Sequence, residues 1–155
     1  MIETTVDAPE ETYALAQRLA AAARPGQVYA LNGDLGVGKT VFAQGFAAGL
    51  HIDEPVSSPT FTLIHEYEDG DLPLYHFDVY RIADEDEMEE LGYEEYFYGG
   101  GVTLVEWACL VEGCLPPDVI TVTIEKDPQR GTDYRRIRIE GLPQEQEFIK
   151  GNETI

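Results

Sequence analysis

"GDLGVGKT", residues 33–40, decides how this chain is read. It matches G-x-x-x-x-G-K-[ST], the pattern of a loop that cradles nucleotide phosphates. From average residue usage, a chance match in a chain this long is expected roughly once in a few hundred sequences. The flanks agree with the motif. "QVYALN" (27–32) reads as a short apolar strand running into Gly33, and "KTVFAQGFAAGL" (39–50) reads as a helix that stops at Gly49. Gly33, Gly36 and Gly38 let the backbone turn and aim its N–H groups inward, an anion nest at a helix N-terminus. Asp34, Leu35 and Val37 complete the loop. In such a loop Lys39, expected to be exposed, reaches the β- and γ-phosphates, and the Thr40 hydroxyl ligates Mg²⁺.

The rest of the composition limits what a nucleotide could be used for. The chain has 155 residues, 43% hydrophobic and 26% charged, which is ordinary globular usage. Its length suits one domain over 1–155, with a polar tail from about 142 expected to fray. The sequence contains no apolar run near the roughly eighteen residues of a membrane span. The start, "MIETTVDAPEE", lacks the basic and apolar regions of a signal peptide. A soluble cytoplasmic protein is the expectation. Cys109 and Cys114, with no further Cys or His nearby, make a poor zinc pattern and read as reduced thiols. Ten Lys and Arg face thirty Asp and Glu, a net charge of −20. Such a surface repels RNA or DNA rather than collecting it, so no direct nucleic-acid binding is expected. Thirteen of the acids lie between Glu66 and Glu95, where Arg81 is the only Lys or Arg. That run is either a solvated face or a docking surface for a basic partner.

Along the chain, "DAPEETYALAQRLAAAARPG" (7–26) reads as a first helix capped by Asp7, with Glu10 in capping-box spacing. "TFTLIHEY" (60–67) and "PLYHFDVY" (73–80) form a hairpin through "EDGDL". "DEDEMEELGYEEYF" (84–97) reads as an acidic helical region and "GVTLVEW" (101–107) as a further strand. "DVITVTIE" and "YRRIRIE" follow as an antiparallel pair. The expected fold is an α/β P-loop sandwich with a mixed, partly antiparallel sheet, because the late hairpins cannot all be parallel.

A phosphate loop needs a carboxylate for its metal, usually at the end of a neighbouring strand. Asp78 ends one apolar strand and Glu106 ends "VTLVE". Asp78 is assigned to Mg²⁺, directly or through water; Glu106 polarises the attacking water or shares the metal. Thr60, in "SSPTF", lies where a loop could sense a γ-phosphate. His65 and His76 read as strand-packing residues, with His76 the nearer to the site. No N-K-x-D of a guanine-specific enzyme is present. Between Lys39 and Arg81, and again from Arg81 to Lys126, there is no Lys or Arg to grip a second anion. ATP hydrolysis with water as acceptor fits best. A kinase for a neutral metabolite and a nucleotide-binding regulator without turnover are the alternatives.

Taken together and in order, "GDLGVGKT", "SPTF", "HFDVYR" and "VEWA" resemble the TsaE (YjeE) family, from about Thr12 to Arg138. Those are small bacterial ATPases required for making threonylcarbamoyladenosine in tRNA. The resemblance implies Mg–ATP binding and association with a heterodimer of two actin-like proteins, TsaB and TsaD. It makes Lys39 and Thr40 the phosphate-loop residues, Asp78 the metal-side acid and Glu106 the catalytic or metal-linked acid. Trp107 becomes the neighbouring active-site aromatic, Thr60 the switch residue, and Thr12 a residue of the first helix near the adenine. Ala108 stands where the family commonly has proline, which loosens one turn.

Overall fold

The computed structural model describes residues 1–34, 36–56, 64–82, 84–143 and 146. In chain order the elements are β1 (Ile2–Val6), α1 (Pro9–Ala21), β2 (Val28–Asn32), α2 (Lys39–Gly49), β3 (Ile64–Tyr67) and β4 (Leu74–Asp78). There follow α3 (Asp86–Glu90), α4 (Tyr93–Phe97), β5 (Val102–Glu106), a 3-10 turn (Ala108–Cys114), β6 (Ile120–Lys126) and β7 (Arg135–Glu140). The strands form one sheet in the order β1-β7-β6-β2-β5-β4-β3. β2, β4, β5 and β6 run parallel in the middle, while β3, β7 and β1 are antiparallel to their neighbours. The mixed sheet is therefore as expected.

Alternation along the central strands builds two cores. Tyr29 and Leu31 of β2 point to one face, where they join Leu15 and Leu19 of α1 and Phe42 and Phe46 of α2. Val28 and Ala30 point to the other, where Phe77, Met88, Phe97, Val105 and Val111 gather. A parallel strand covered on both faces must be apolar throughout. That accounts for "VYAL" and "VTLV" being buried at every position.

Two local readings are corrected. β1 was not anticipated: "IETTV" is too short and too polar to stand out, yet Ile2 and Val6 are buried and the strand pairs with β7. Because β1 runs to Val6, the helix starts late. Ala8, in extended conformation, is the cap residue, and no side chain caps it, Asp7 included. Pro9 supplies a pre-set φ at the first turn, with Glu10 and Glu11 complementing the helix dipole. The acidic region 84–97 is helical as expected, in two single-turn helices separated by the left-handed Gly92. Of the expected strand 60–67, residues 60–63 lie outside the described residues. In the tail, Gln146 is buried and donates to the Ala22 carbonyl at 2.9 Å. No described helix is long and apolar enough to cross a membrane.

The α1–α2 contact rests on small residues. A Cβ at Gly45 would lie 2.3 Å from the Tyr13 carbonyl oxygen. Alanine is the better helix former by about 1 kcal/mol, but here it forces two backbones apart, at a typical overpacking cost of about 1–3 kcal/mol or more. Gly45→Ala is expected to lower the unfolding midpoint in urea; an unchanged or raised midpoint would mean that the helices separate freely.

Candidate functional site

Parallel pairing of β2, β5 and β4 brings three carboxyl ends to one edge of the sheet. In open α/β sheets that edge is where ligands bind. The phosphate loop leaves β2 after Asn32 and enters α2 at Lys39. Its turn requires glycine where the backbone is left-handed: Gly38, which precedes α2, has φ 110°. Leu35 of the loop and Thr60, the expected switch residue, lie outside the described residues.

Lys39 is not in an exposed loop. It is the first residue of α2 and is 7% exposed. Its ammonium donates to the carbonyl oxygens of Gly33 and, at 3.2 Å, of Asp34. It also sits 3.6 Å from the centroid of the Trp107 ring. Such a partly desolvated cation–π contact contributes about 1–2 kcal/mol. Burial lowers the Lys39 pKa, opposed by the charges of Glu106, Asp78 and Asp34.

The two strand-end acids are neighbours. Asp78 on β4 is directly opposite Glu106 on β5. Asp78 is half-buried, and its Oδ1 accepts the Tyr80 N–H at 3.1 Å. Burial raises its pKa; the Tyr80 hydrogen bond opposes the rise and the Glu106 charge adds to it. Glu106 is 2% exposed, and its Oε2 lies 2.5 Å from His76 Nε2. A carboxylate can only accept, so in this pair a carboxylate form of Glu106 takes its hydrogen bond from the Nε2 N–H. Among the described residues His76 Nδ1 has no partner. His76 thus holds Glu106 in orientation, where the sequence suggested only packing.

Trp107 turns the chain out of β5. Its φ of 61° is left-handed, a conformation that costs a non-glycine residue about 1–3 kcal/mol and that clusters at functional sites. Three bonds hold it. Its N–H donates to Leu31 O at 3.1 Å, the Val79 N–H donates to Glu106 O at 3.3 Å, and the Cys109 N–H donates to Asn32 Oδ1 at 3.1 Å. Tyr80 packs on its ring at 4.7 Å between centroids. Asn32 was not singled out in the sequence, although its position directly before Gly33 was the available signal. Arg135 falls in "YRRIRIE", where strand periodicity gives no link to the loop. On β7, it donates from Nε to Val37 O at 2.8 Å, behind the phosphate loop.

Beside the loop a cavity of about 190 Å³ is lined by Thr12, Gly36, Gly38, Val41, Asp133 and Arg135. Thr12, on the first helix, is thus brought to the loop although it precedes Gly33 by 21 positions along the chain. The donor set suits a hard cation with a nucleotide. Lys39 feels three carboxylates, Asp34, Asp78 and Glu106, and one ammonium leaves that charge in excess. Oxygen donors from Asp78, Glu106 and the exposed Thr40 hydroxyl are the ligands that Mg²⁺ takes.

Comparison with known proteins agrees with the geometry. A family model described as "Threonylcarbamoyl adenosine biosynthesis protein TsaE" matches residues 6–137. The chain belongs to the TsaE family. A TsaE protein of Bacillus subtilis, named for tRNA threonylcarbamoyladenosine biosynthesis, is 52% identical over 141 residues, covering 91% of this chain and 86% of that protein. The Rickettsia conorii TsaE protein is 37% identical over 124 residues, or 78% of this chain and 69% of the other. The crystal structure of Bacillus subtilis YdiB superposes with a TM-score of 0.81 at 44% identity, covering 99% of this chain and 93% of that one. The P-loop α/β architecture is therefore that of the TsaE family.

As the only tryptophan, Trp107 reports on this site. A bound polyphosphate competes with its ring for the Lys39 ammonium. Its fluorescence is expected to change on titration with ADP or ATP; a flat trace at saturating nucleotide would separate the ring from the site.

Proposed function

We propose that this protein binds and hydrolyses Mg–ATP as a subunit of the machinery that makes threonylcarbamoyladenosine in tRNA, acting on a TsaB–TsaD complex. The observation that carries the reading is the meeting of Lys39, Asp78 and Glu106 beside a phosphate loop, in a chain of the TsaE family. Lys39 and the loop amides bind and orient the polyphosphate. Asp78 and Thr40 would hold Mg²⁺, which would supply charge neutralisation at the phosphates. Glu106, fixed by His76, accepts a hydrogen bond from the attacking water and orients it. Trp107 and Tyr80 cover one flank of the site.

Water as acceptor fits a site walled by acids better than a small anionic substrate does. The net charge of −20 disfavours contact with tRNA, which leaves the tRNA to the partner. Hydrolysis would then drive a conformational or product-release step of that partner. Free in solution the protein should turn over slowly, and the TsaB–TsaD complex should raise the rate by reshaping the site, as activating proteins do for other P-loop enzymes. tRNA alone should not.

The test is tRNA modification in a reconstituted system over many turnovers. Cycles that run equally fast without this protein, or with Lys39→Ala in its place, would remove it from that pathway. The acidic stretch from Asp84 to Glu95 is where docking would be sought. Reversing three of its charges to lysine should weaken assembly at low salt and less so at high salt, where screening already dominates.

A further inference from the structure

We propose that Arg135 is a positioning residue of the phosphate loop, a clamp that holds its backbone in the anion-binding orientation. The proposal rests on the nucleotide-binding reading above and assigns the loop's shape to a residue 98 positions away. The guanidinium is held from both the loop and the hairpin. Nε donates to Val37 O at 2.8 Å, and Nη2 makes a longer contact with Gly36 O at 3.5 Å. On the hairpin side Nη1 donates to Thr132 O at 2.9 Å and Tyr134 O at 2.7 Å. Arg135 thus ties the β6–β7 hairpin to the loop by four backbone carbonyls. Four of its five N–H donors face protein carbonyls, which holds the side chain against the loop backbone rather than extended as an arginine finger is.

The planarity of the peptide bond turns this tie into a functional device. Within one trans peptide the C=O and the N–H point in opposite directions. When Arg135 draws the Val37 carbonyl toward β7, the Gly38 N–H of the same peptide must point away from β7. Gly38 is the residue before α2, at φ 110°, and its N–H is one of those a phosphate loop offers its anion. Glycines on both sides of Val37, at φ 75° and 110°, leave this peptide little intrinsic preference. The clamp supplies what the glycines lack. Nearby, Lys126 is the register partner of Arg135, and its ammonium lies 3.4 Å from where a Cβ on Gly36 would stand. The same hairpin therefore crowds the loop's outer side with a second cation and further disfavours a flipped N–H there.

The test compares Arg135→Ala, Arg135→Lys and Lys39→Ala in the full chain. Each is titrated with Mg–ADP and with pyrophosphate by calorimetry, then assayed for ATP turnover across concentration. A hydrogen bond from a charged donor is worth about one to two powers of ten, so Arg135→Ala should weaken both ligands about tenfold to a hundredfold. The loss should fall on KM, with kcat at saturation changed by less than about threefold. Millimolar methylguanidine should restore part of the affinity. Arg135→Lys keeps the charge without the fork of donors, and should resemble the alanine variant more than the wild type. Wild-type affinity in Arg135→Ala, beside a Lys39→Ala that has lost binding, would overturn the clamp and leave the nucleotide site standing. Loss for ADP but not for pyrophosphate would also overturn it, since the effect would then lie at the base or sugar. Should Arg135→Ala fail to fold, wild-type affinity in Arg135→Lys overturns the clamp equally. Lys39→Ala binding as tightly as the wild type would instead remove the nucleotide reading itself.

Discussion

Lys39→Ala is expected to lower kcat/KM for ATP on the order of a hundredfold or more, with the fold intact. Losing a preorganised cation at a developing oxyanion costs about that much in other enzymes. Lys39 is buried against Gly33 O, Asp34 O and the Trp107 ring, so its removal also touches stability. Two effects oppose each other there. The hydrogen bonds and the ring contact are lost, and the desolvation that depresses the Lys39 pKa is relieved. The net change in unfolding free energy should stay within about 2 kcal/mol. Circular dichroism with urea titration reads stability, and calorimetry with ADP reads the site. Wild-type affinity and turnover in this variant would end the phosphate-loop assignment.

A second large effect belongs to Glu106→Gln. The amide oxygen can still accept from His76 Nε2, so the buried pair survives and the strand ends stay in place. What disappears is the negative charge that orients and polarises water. Hydrolysis should slow on the order of a hundredfold or more, the scale for losing a positioned base. ATP should remain bound. Asp78→Ala provides the contrast, because it removes an oxygen assigned to the cation and should weaken Mg²⁺-dependent nucleotide binding. A quench-flow measurement of a single turnover, set beside equilibrium binding, separates the two roles. Equal loss of ATP affinity in both variants would contradict the division of labour.

The unequal legibility of these residues has a physical basis. "GDLGVGKT" is legible because a phosphate loop is local, eight consecutive residues whose shape depends on their own glycines and on the helix that follows. The strand-end acids were legible for a related reason. An apolar strand that ends in a carboxylate marks the sheet's carboxyl edge, and parallel pairing then sets Asp78 opposite Glu106. The mixed sheet could be inferred from short turns between late strands, which permit only antiparallel neighbours.

Other features depend on which strand lies beside which, and a period of two in the sequence reports a residue's face but not its neighbour. β1 is an edge strand whose polar residues face solvent, and only its pairing with β7 makes it a strand. The Asp7 cap failed for the same reason, since that pairing carries extended chain up to Val6. Arg135 reaches Val37 because β7 folds back along β6, which pairs with β2, the strand that feeds the loop. His76 reaches Glu106 only because β4 lies beside β5 with the two side chains on one face. By itself the sequence determined the phosphate loop, its lysine and two acids at strand ends, because each is written in adjacent residues or in strand periodicity. Only the tertiary structure decided that Lys39 lies buried under Trp107, that His76 orients Glu106, and that Arg135 braces the loop from behind. Those contacts join segments tens of residues apart, and their existence depends on strand order and register.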